Sequence, residues 1–258
     1  MLYRILLVGL LAGLIAGTAS TALQLAWAVP LIQQAEAFEP AAAEPGHGAG
    51  SHAHDGHAHA HDGHAHGAPW APVDGVSRSF WTLLANVSLG AGAGFILAAL
   101  FALRPGALGA RRGLLWGLAA FASAGIAPAL GLPPELPGTM AAPVEARQLW
   151  WLLTAGCTAS GLALLFGRRA AALRAAGVAL LLMPHLVGAP QPEVHAALAP
   201  LELQREFIIA ALVCSGLFWM VLGTAVGVLG RRDGLSLDDA AGEPAGATAP
   251  CTDAAGEL

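Results

Sequence analysis

The chain has 258 residues, 56% hydrophobic and 11% charged, with a formal net charge of −5, and its mean hydropathy is +0.62. It is too apolar for an ordinary soluble domain, and its long uncharged runs suit a bilayer. All twelve basic residues are arginine; the lack of lysine excludes a P-loop lysine and any Schiff-base chemistry.

The first apolar run, Ile5 to Val29, follows Arg4 and ends at Pro30. Ala26-Trp27-Ala28 resembles a signal-peptide cleavage site. The run is longer than a typical signal core, however, and Gly9, Gly13 and Gly17 recur every four residues, the spacing that lets membrane helices approach closely. A retained helix is the expectation. A polar stretch from Leu31 to Ser79 follows, led by Glu36, Glu39 and Glu44 and closed by Trp70-Ala-Pro-Val-Asp-Gly75.

Five further apolar runs come next: Phe80 to Leu103, Gly113 to Leu130, Gln148 to Phe166, Ala175 to Val187, and Phe207 to Leu229. Gly90/Gly94 and Gly113/Gly117 are further small-residue pairs. Leu132-Pro-Pro-Glu-Leu-Pro-Gly138 cannot continue a helix and is expected to cap the third span or fold over the membrane surface. Trp150 and Trp151 are placed like an interfacial belt. The fold class is therefore all-α, a polytopic membrane bundle of about six helices. Its units are the first helix (1–30), a His-rich extracytoplasmic loop (31–79), a bundle of about five helices (80–230) and a disordered acidic tail (231–258). No run is rich in lysine and arginine, so no nucleic acid is expected.

Within the polar loop, eight of the ten histidines fall between residues 47 and 66: His47, His52, His54, His57, His59, His61, His64 and His66. A seven-residue unit occurs twice, His54-Asp-Gly-His-Ala-His-Ala60 and His61-Asp-Gly-His-Ala-His-Gly67. Neutral imidazole ligates Zn, Cu, Ni and Co ions, and a Gly/Ala-spaced chain can bend several rings around one ion. With an unperturbed pKa of about 6.5, the rings ligate near neutral pH and lose affinity on acidification. Asp55 and Asp62 add oxygen ligands. The tract is expected to collect divalent ions without choosing among them, and the bland alternative is a solvated loop.

The arginines orient the chain. With the N-terminus inside, Arg4, Arg104, Arg111, Arg112, Arg168, Arg169, Arg174, Arg231 and Arg232 are cytoplasmic and only Arg78, Arg147 and Arg205 lie outside, a positive-inside pattern. Both termini are then cytoplasmic, and the His tract, the Pro-rich stretch and the 188–206 connection face outward. Ions would be met outside. An interior-negative potential favours inward movement of a divalent cation by roughly 4 to 5 kcal/mol per 100 mV.

A second constellation follows the fifth run. Pro184 interrupts backbone hydrogen bonding, and His185, Glu193 and His195 offer two nitrogen ligands and a carboxylate; broken helices at membrane depth often line transport sites. His185 could equally rest at the interface and bond a carbonyl. Asn86, Glu202 and Glu206 are weaker candidates, Asn86 as a bridge between helices and the glutamates as dressing for the outer end of the last helix. Cys157, Cys214 and Cys251 form no CxxC pair and read as neither disulfide framework nor thiolate site.

The order of N-terminal helix, His-rich loop, Trp70-Ala-Pro-Val-Asp-Gly75, Ala127-Pro-Ala-Leu-Gly-Leu-Pro-Pro-Glu-Leu-Pro-Gly138, Arg147-Gln-Leu-Trp-Trp151 and Pro184-His-Leu-Val-Gly-Ala-Pro-Gln-Pro192 resembles the CbtA-type cobalt transporter subunits of bacteria. The likeness runs over about Met1 to Arg232. It implies cobalt uptake linked to cobalamin synthesis at the cytoplasmic (inner) membrane, beside a small one-span, His-bearing partner of the CbtB type. Members are described with about five spans, against six counted here. The reading is a membrane subunit for divalent metal uptake, cobalt first and nickel or zinc next. The competing reading is a membrane-anchored metal-binding accessory or sensor that moves no ion. A homo-oligomer is open to either. No HExxH, nucleophile elbow or paired intramembrane carboxylates are present, so no enzyme is expected.

Overall fold

A computed structural model describes residues 2–39, 74–103, 108–167 and 169–232. The His tract, Arg104, Arg168 and the acidic tail lie outside the described residues. Six helical elements follow one another. α1 comprises Leu2–Leu23, a π turn Gln24–Ala28 and Val29–Glu36. α2 is Val76–Ala102, and α3 comprises Ala110–Phe121, a π turn Ala122–Ile126 and Ala127–Ala129. α4 is Val144–Gly167, α5 Ala171–Val187 and α6 Leu201–Arg232. Among the described residues there is no strand, only a single bridge between Thr139 and Ala197.

Four helices are long and apolar enough to cross a membrane: α1, α2, α4 and α6. α5 is a shorter apolar helix of 17 residues. α3 carries Arg111 and Arg112 in its first turn, so its uncharged part, residues 113–129, spans only about 25 Å at 1.5 Å per residue. Of the six expected crossings, four are helices long and apolar enough to span a membrane, and the third and fifth runs form shorter helices.

α1 does not stop at Pro30 as expected; it runs on to Glu36. The reason is local. In the π turn the Val29 N–H donates to Gln24 O, one residue further back than in an α-helix, and Pro30, which has no N–H to give, falls directly after it. α3 repeats the device: Ala127 N–H donates to Ala122 O and Pro128 follows. In both places the widened turn lets the helix absorb a proline that would otherwise end it.

Helices pair through glycine. A Cβ placed on Gly9 would meet Phe95 N at 2.8 Å, and one on Gly17 would meet Val87 Cα at 2.7 Å; Gly13 abuts Gly90 and Ala91. α1 and α2 are therefore antiparallel with backbones in contact, as the four-residue glycine spacing predicts. α3 crosses α6 in the same way, Gly113 and Gly117 lying on Gly223 and Gly227. α4 crosses α5 at Gly161 and Gly177, where an added Cβ would meet the partner's carbonyl at 2.8 and 2.9 Å. Val8, Ala12 and Ala16 of α1, Leu97, Ala98 and Phe101 of α2 and Phe218, Leu222 and Val226 of α6 form the central core.

This antiparallel order divides the arginines. Arg4, Arg111, Arg112, Arg169, Arg174, Arg231 and Arg232 stand at one end of the bundle, and Arg78, Arg147 and Arg205 at the other. The arginine-poor end also holds the Pro-rich segment and the 188–200 connection. Leu136, Ala199 and Ala35 pack together there with Ile32, Leu203 and Phe207. Met140 N–H donates to Ala196 O (2.9 Å) and Leu198 N–H to Gly138 O (3.2 Å). The Pro-rich segment thus folds across the helix ends, as expected. Gly138 turns it with φ +75°, and an added Cβ would strike Leu198 Cδ1 at 2.8 Å.

Candidate metal entrance

The arginine-poor end gathers every sequence-derived site residue that the structure describes. His185 lies in the last turn of α5, one residue after the buried Pro184. Its imidazole is half-buried, and the indole of Trp150 stands edge-on to it with ring centroids 6.1 Å apart. Gly188 closes α5 with φ +87°, its N–H donating to Pro184 O at 3.0 Å. The helix passes through Pro184 for one more turn before ending at Val187. Pro184 therefore removes one backbone donor without breaking the helix.

Glu193 and His195 are exposed on the connection between α5 and α6. His195 lines a cleft of about 400 Å³ between that connection and the Pro-rich segment, together with Glu135, Thr139, Gln191 and Gln204. Neither His185 nor Glu193 lines it. Among the described residues, no three His, Cys, Asp or Glu side chains are grouped to share one ion.

A second cleft, of about 650 Å³, lies between the end of α3, the start of α4 and α6, with Glu135, Arg147, Gln148, Trp151 and Ser215 in its wall. Glu135 faces both clefts and accepts from Arg147 Nη2 at 2.9 Å. Sequence reading passed over Glu135, one of several carboxylates in loops; the signal was the Pro-Pro-Glu-Leu-Pro frame that fixes it beside α4.

The stem of the His-bearing segment is clamped here too. Arg78 donates from Nη1 and Nη2 to Glu36 Oε1 and Oε2 at 2.9 and 3.0 Å, and its Nε lies 2.7 Å from Asp74 Oδ1. Gln33 Nε2 donates to the same Asp74 oxygen at 3.3 Å. The fork matches two carboxylate oxygens at once, which a lysine cannot do. The clamp joins the end of α1 to the start of α2, so the two ends of the intervening segment are held together.

Asn86 bridges helices as expected: its Nδ2 donates to Thr21 Oγ1 and Gln24 Oε1 of α1, both at 2.9 Å. Gln24 in turn donates to Ser20 Oγ at 3.2 Å. Glu202 and Glu206 are exposed at the beginning of α6. Of the expected tryptophan belt, only Trp151 faces outward; Trp150 is buried in α4, against Gly131 and the His185 ring.

A family model described as "Probable cobalt transporter subunit (CbtA)" matches residues 2–231, from the first turn of α1 to the last turn of α6. The chain belongs to the CbtA family. No curated protein and no solved structure matches it. As a CbtA member with four full-length apolar helices, it is a multi-pass membrane protein of a cobalt transporter subunit family.

Proposed function

We propose that this CbtA member is the membrane subunit of a divalent cation uptake system at the cytoplasmic membrane, with cobalt as its substrate and no enzymatic activity. The observation that carries the reading is the division of arginine between the two ends of the bundle. By the positive-inside rule the arginine-rich end is cytoplasmic. The His-bearing segment, the Pro-rich cap, His185, Glu193 and His195 then face the outside, where the ion is met. Both termini are cytoplasmic.

In this account His47, His52, His54, His57, His59, His61, His64 and His66 raise the local ion concentration, and the Arg78 clamp tethers them beside the entrance. His195 and Glu193 take the ion at the surface, and His185 passes it to the helices. Nickel and zinc bind imidazole as cobalt does and compete. The family's description as a subunit supports a partner, and a one-span CbtB-type protein with its own histidines would supply ligands at depth; a second copy of this chain is the other candidate.

One observation favours the accessory reading: the described residues hold no group of three metal-ligating side chains. Uptake of radiolabelled cobalt by cells carrying this chain, with and without the one-span partner, separates the two. Import dependent on the chain supports transport. Retention on the outer surface without import supports an accessory that only binds.

A further inference from the structure

Glu135 and His195 line the same cleft from its two walls. Glu135 stands on the Pro-rich segment and His195 on the connection between α5 and α6, with an opening of about 400 Å³ between them. The walls are pinned to one another. Met140 N–H donates to Ala196 O and Leu198 N–H to Gly138 O, and Leu136 and Ala199, one from each wall, are buried in one cluster. Glu135 thus adjoins a buried anchor, and His195 adjoins the residue whose carbonyl takes the Met140 bond.

Two glutamines also line the cleft. Gln204 Nε2 donates to Ala199 O at 2.7 Å and Gln191 Nε2 to Ala189 O at 3.3 Å. Each amide has its nitrogen held by a backbone carbonyl, so its oxygen is the end that remains to accept or to ligate. Glu135 is held in a similar way, because Arg147 Nη2 donates to Oε2 alone at 2.9 Å, whereas the Arg78 fork takes both oxygens of Glu36. An ionised carboxylate has about four lone-pair sites, and one bond leaves most of them. Arg147 lines the second cleft and not this one.

One imidazole nitrogen, one carboxylate and two amide oxygens suit a divalent first-row cation that keeps part of its water. Size agrees with this. A cation with six waters occupies roughly 180 Å³ at about 30 Å³ per water, which the cleft holds. Among the described residues no third His, Cys, Asp or Glu joins the pair, so water completes the shell. Glu193 is exposed on the same connection but does not line the cleft; it contributes charge outside it.

We propose that this cleft is a binding site for a hydrated divalent cation, with His195 as its nitrogen ligand, Glu135 as its charged oxygen ligand, and Gln191 and Gln204 as acceptors for its water. Arg147 is the counter-ion that holds Glu135 from the second cleft. The site rests on the transport reading for the cation's onward path but not for its binding.

The test is calorimetric titration of the purified full-length chain with cobalt chloride, in a background whose eight histidines between His47 and His66 are alanine so that the tract does not compete. That chain is expected to bind one cobalt ion. Glu135→Gln and His195→Ala should each weaken binding at least tenfold, and Glu193→Gln less than twofold. No binding in the eight-alanine background overturns the site, as does undiminished binding in Glu135→Gln and His195→Ala. A larger loss in Glu193→Gln than in Glu135→Gln also overturns it.

Arg147→Met separates a ligand from a structural strut. It breaks the same Arg147–Glu135 bond, yet it leaves the carboxylate in place and removes a positive charge beside it. Cobalt affinity is expected to hold or rise, while the melting temperature falls as in Glu135→Gln. An equal loss of affinity in both variants makes Glu135 a strut and overturns the site. The expected binding pattern in a chain that imports no radiolabelled cobalt supports the site and overturns the transport reading alone.

Discussion

The indole of Trp150 stands at 73° to the imidazole of His185, 6.1 Å from ring centre to ring centre, and so ties the first turns of α4 to the last turn of α5. The contact fixes His185 where α5 ends beside α4, on a turn that Pro184 has already relieved of one hydrogen bond. Trp150→Phe keeps an aromatic edge-to-face partner, and such a pair contributes about 0.5–1.5 kcal/mol; Trp150→Leu loses it. Cobalt uptake is expected to fall only slightly in the first and severalfold in the second, measured at matched protein levels.

His185→Ala removes the imidazole itself. Uptake is expected to fall to background while α5, which owes its packing to Gly177 and Pro184, remains folded by circular dichroism. Unchanged uptake takes His185 off the pathway.

Replacing the eight histidines between His47 and His66 by alanine is expected to raise the cobalt concentration for half-maximal uptake and to leave residual transport at saturation. Acidification should mimic this. Free imidazoles protonate through a pKa of about 6.5, and protonated rings cannot ligate, so capture is complete above that range and lost as pH falls through it. The alanine form should lose the tract's share of this dependence, so that its uptake varies less between pH 5 and 7.5 than that of the unaltered chain, as read from initial uptake rates at limiting cobalt.

The glycine crossings set a stability test. Gly13→Leu puts a side chain into the backbone at Gly90 and Ala91, and overpacking of this kind costs about 1–3 kcal/mol or more. Gly92→Leu, with nothing within 4 Å of its added Cβ, should be neutral. Melting in detergent should separate the two by many degrees.

Arg78 and Glu36 form a partly buried pair, with side chains 19% and 33% accessible. A double-mutant cycle with Arg78→Ala and Glu36→Ala is expected to give a coupling of about 1 kcal/mol. Arg78→Lys should not restore it, because one ammonium cannot serve both carboxylate oxygens.

How far the sequence led depended on the kind of signal. Apolar runs located all six helices, and the glycine spacings of α1 and α3 announced the crossings they make, because close backbone approach leaves no other residue in place. Pro30 misled in the opposite direction: a proline reads as a stop, and only the fold reveals the π turn that accommodates it. Trp150-Trp151 read as a belt, but neighbours on a helix point about 100° apart, and the string alone does not say which faces inward. Thr154 and Thr158, buried in α4 with no hydroxyl partner among the described residues, carried no signal, since a threonine that back-bonds and one that does not look alike in sequence. Glu135 was hidden among other loop carboxylates until the fold set it between two clefts.

The central claim is that the imidazoles meet their ion on the external face. Its most direct test is Ala58→Cys, placed within the His tract of a chain whose native cysteines are replaced, exposed in intact cells to a membrane-impermeant maleimide. The account predicts full labelling without permeabilisation, with Ala110→Cys at the arginine-rich end unlabelled until the membrane is opened. The reverse pattern would put the histidines in the cytoplasm and contradict import.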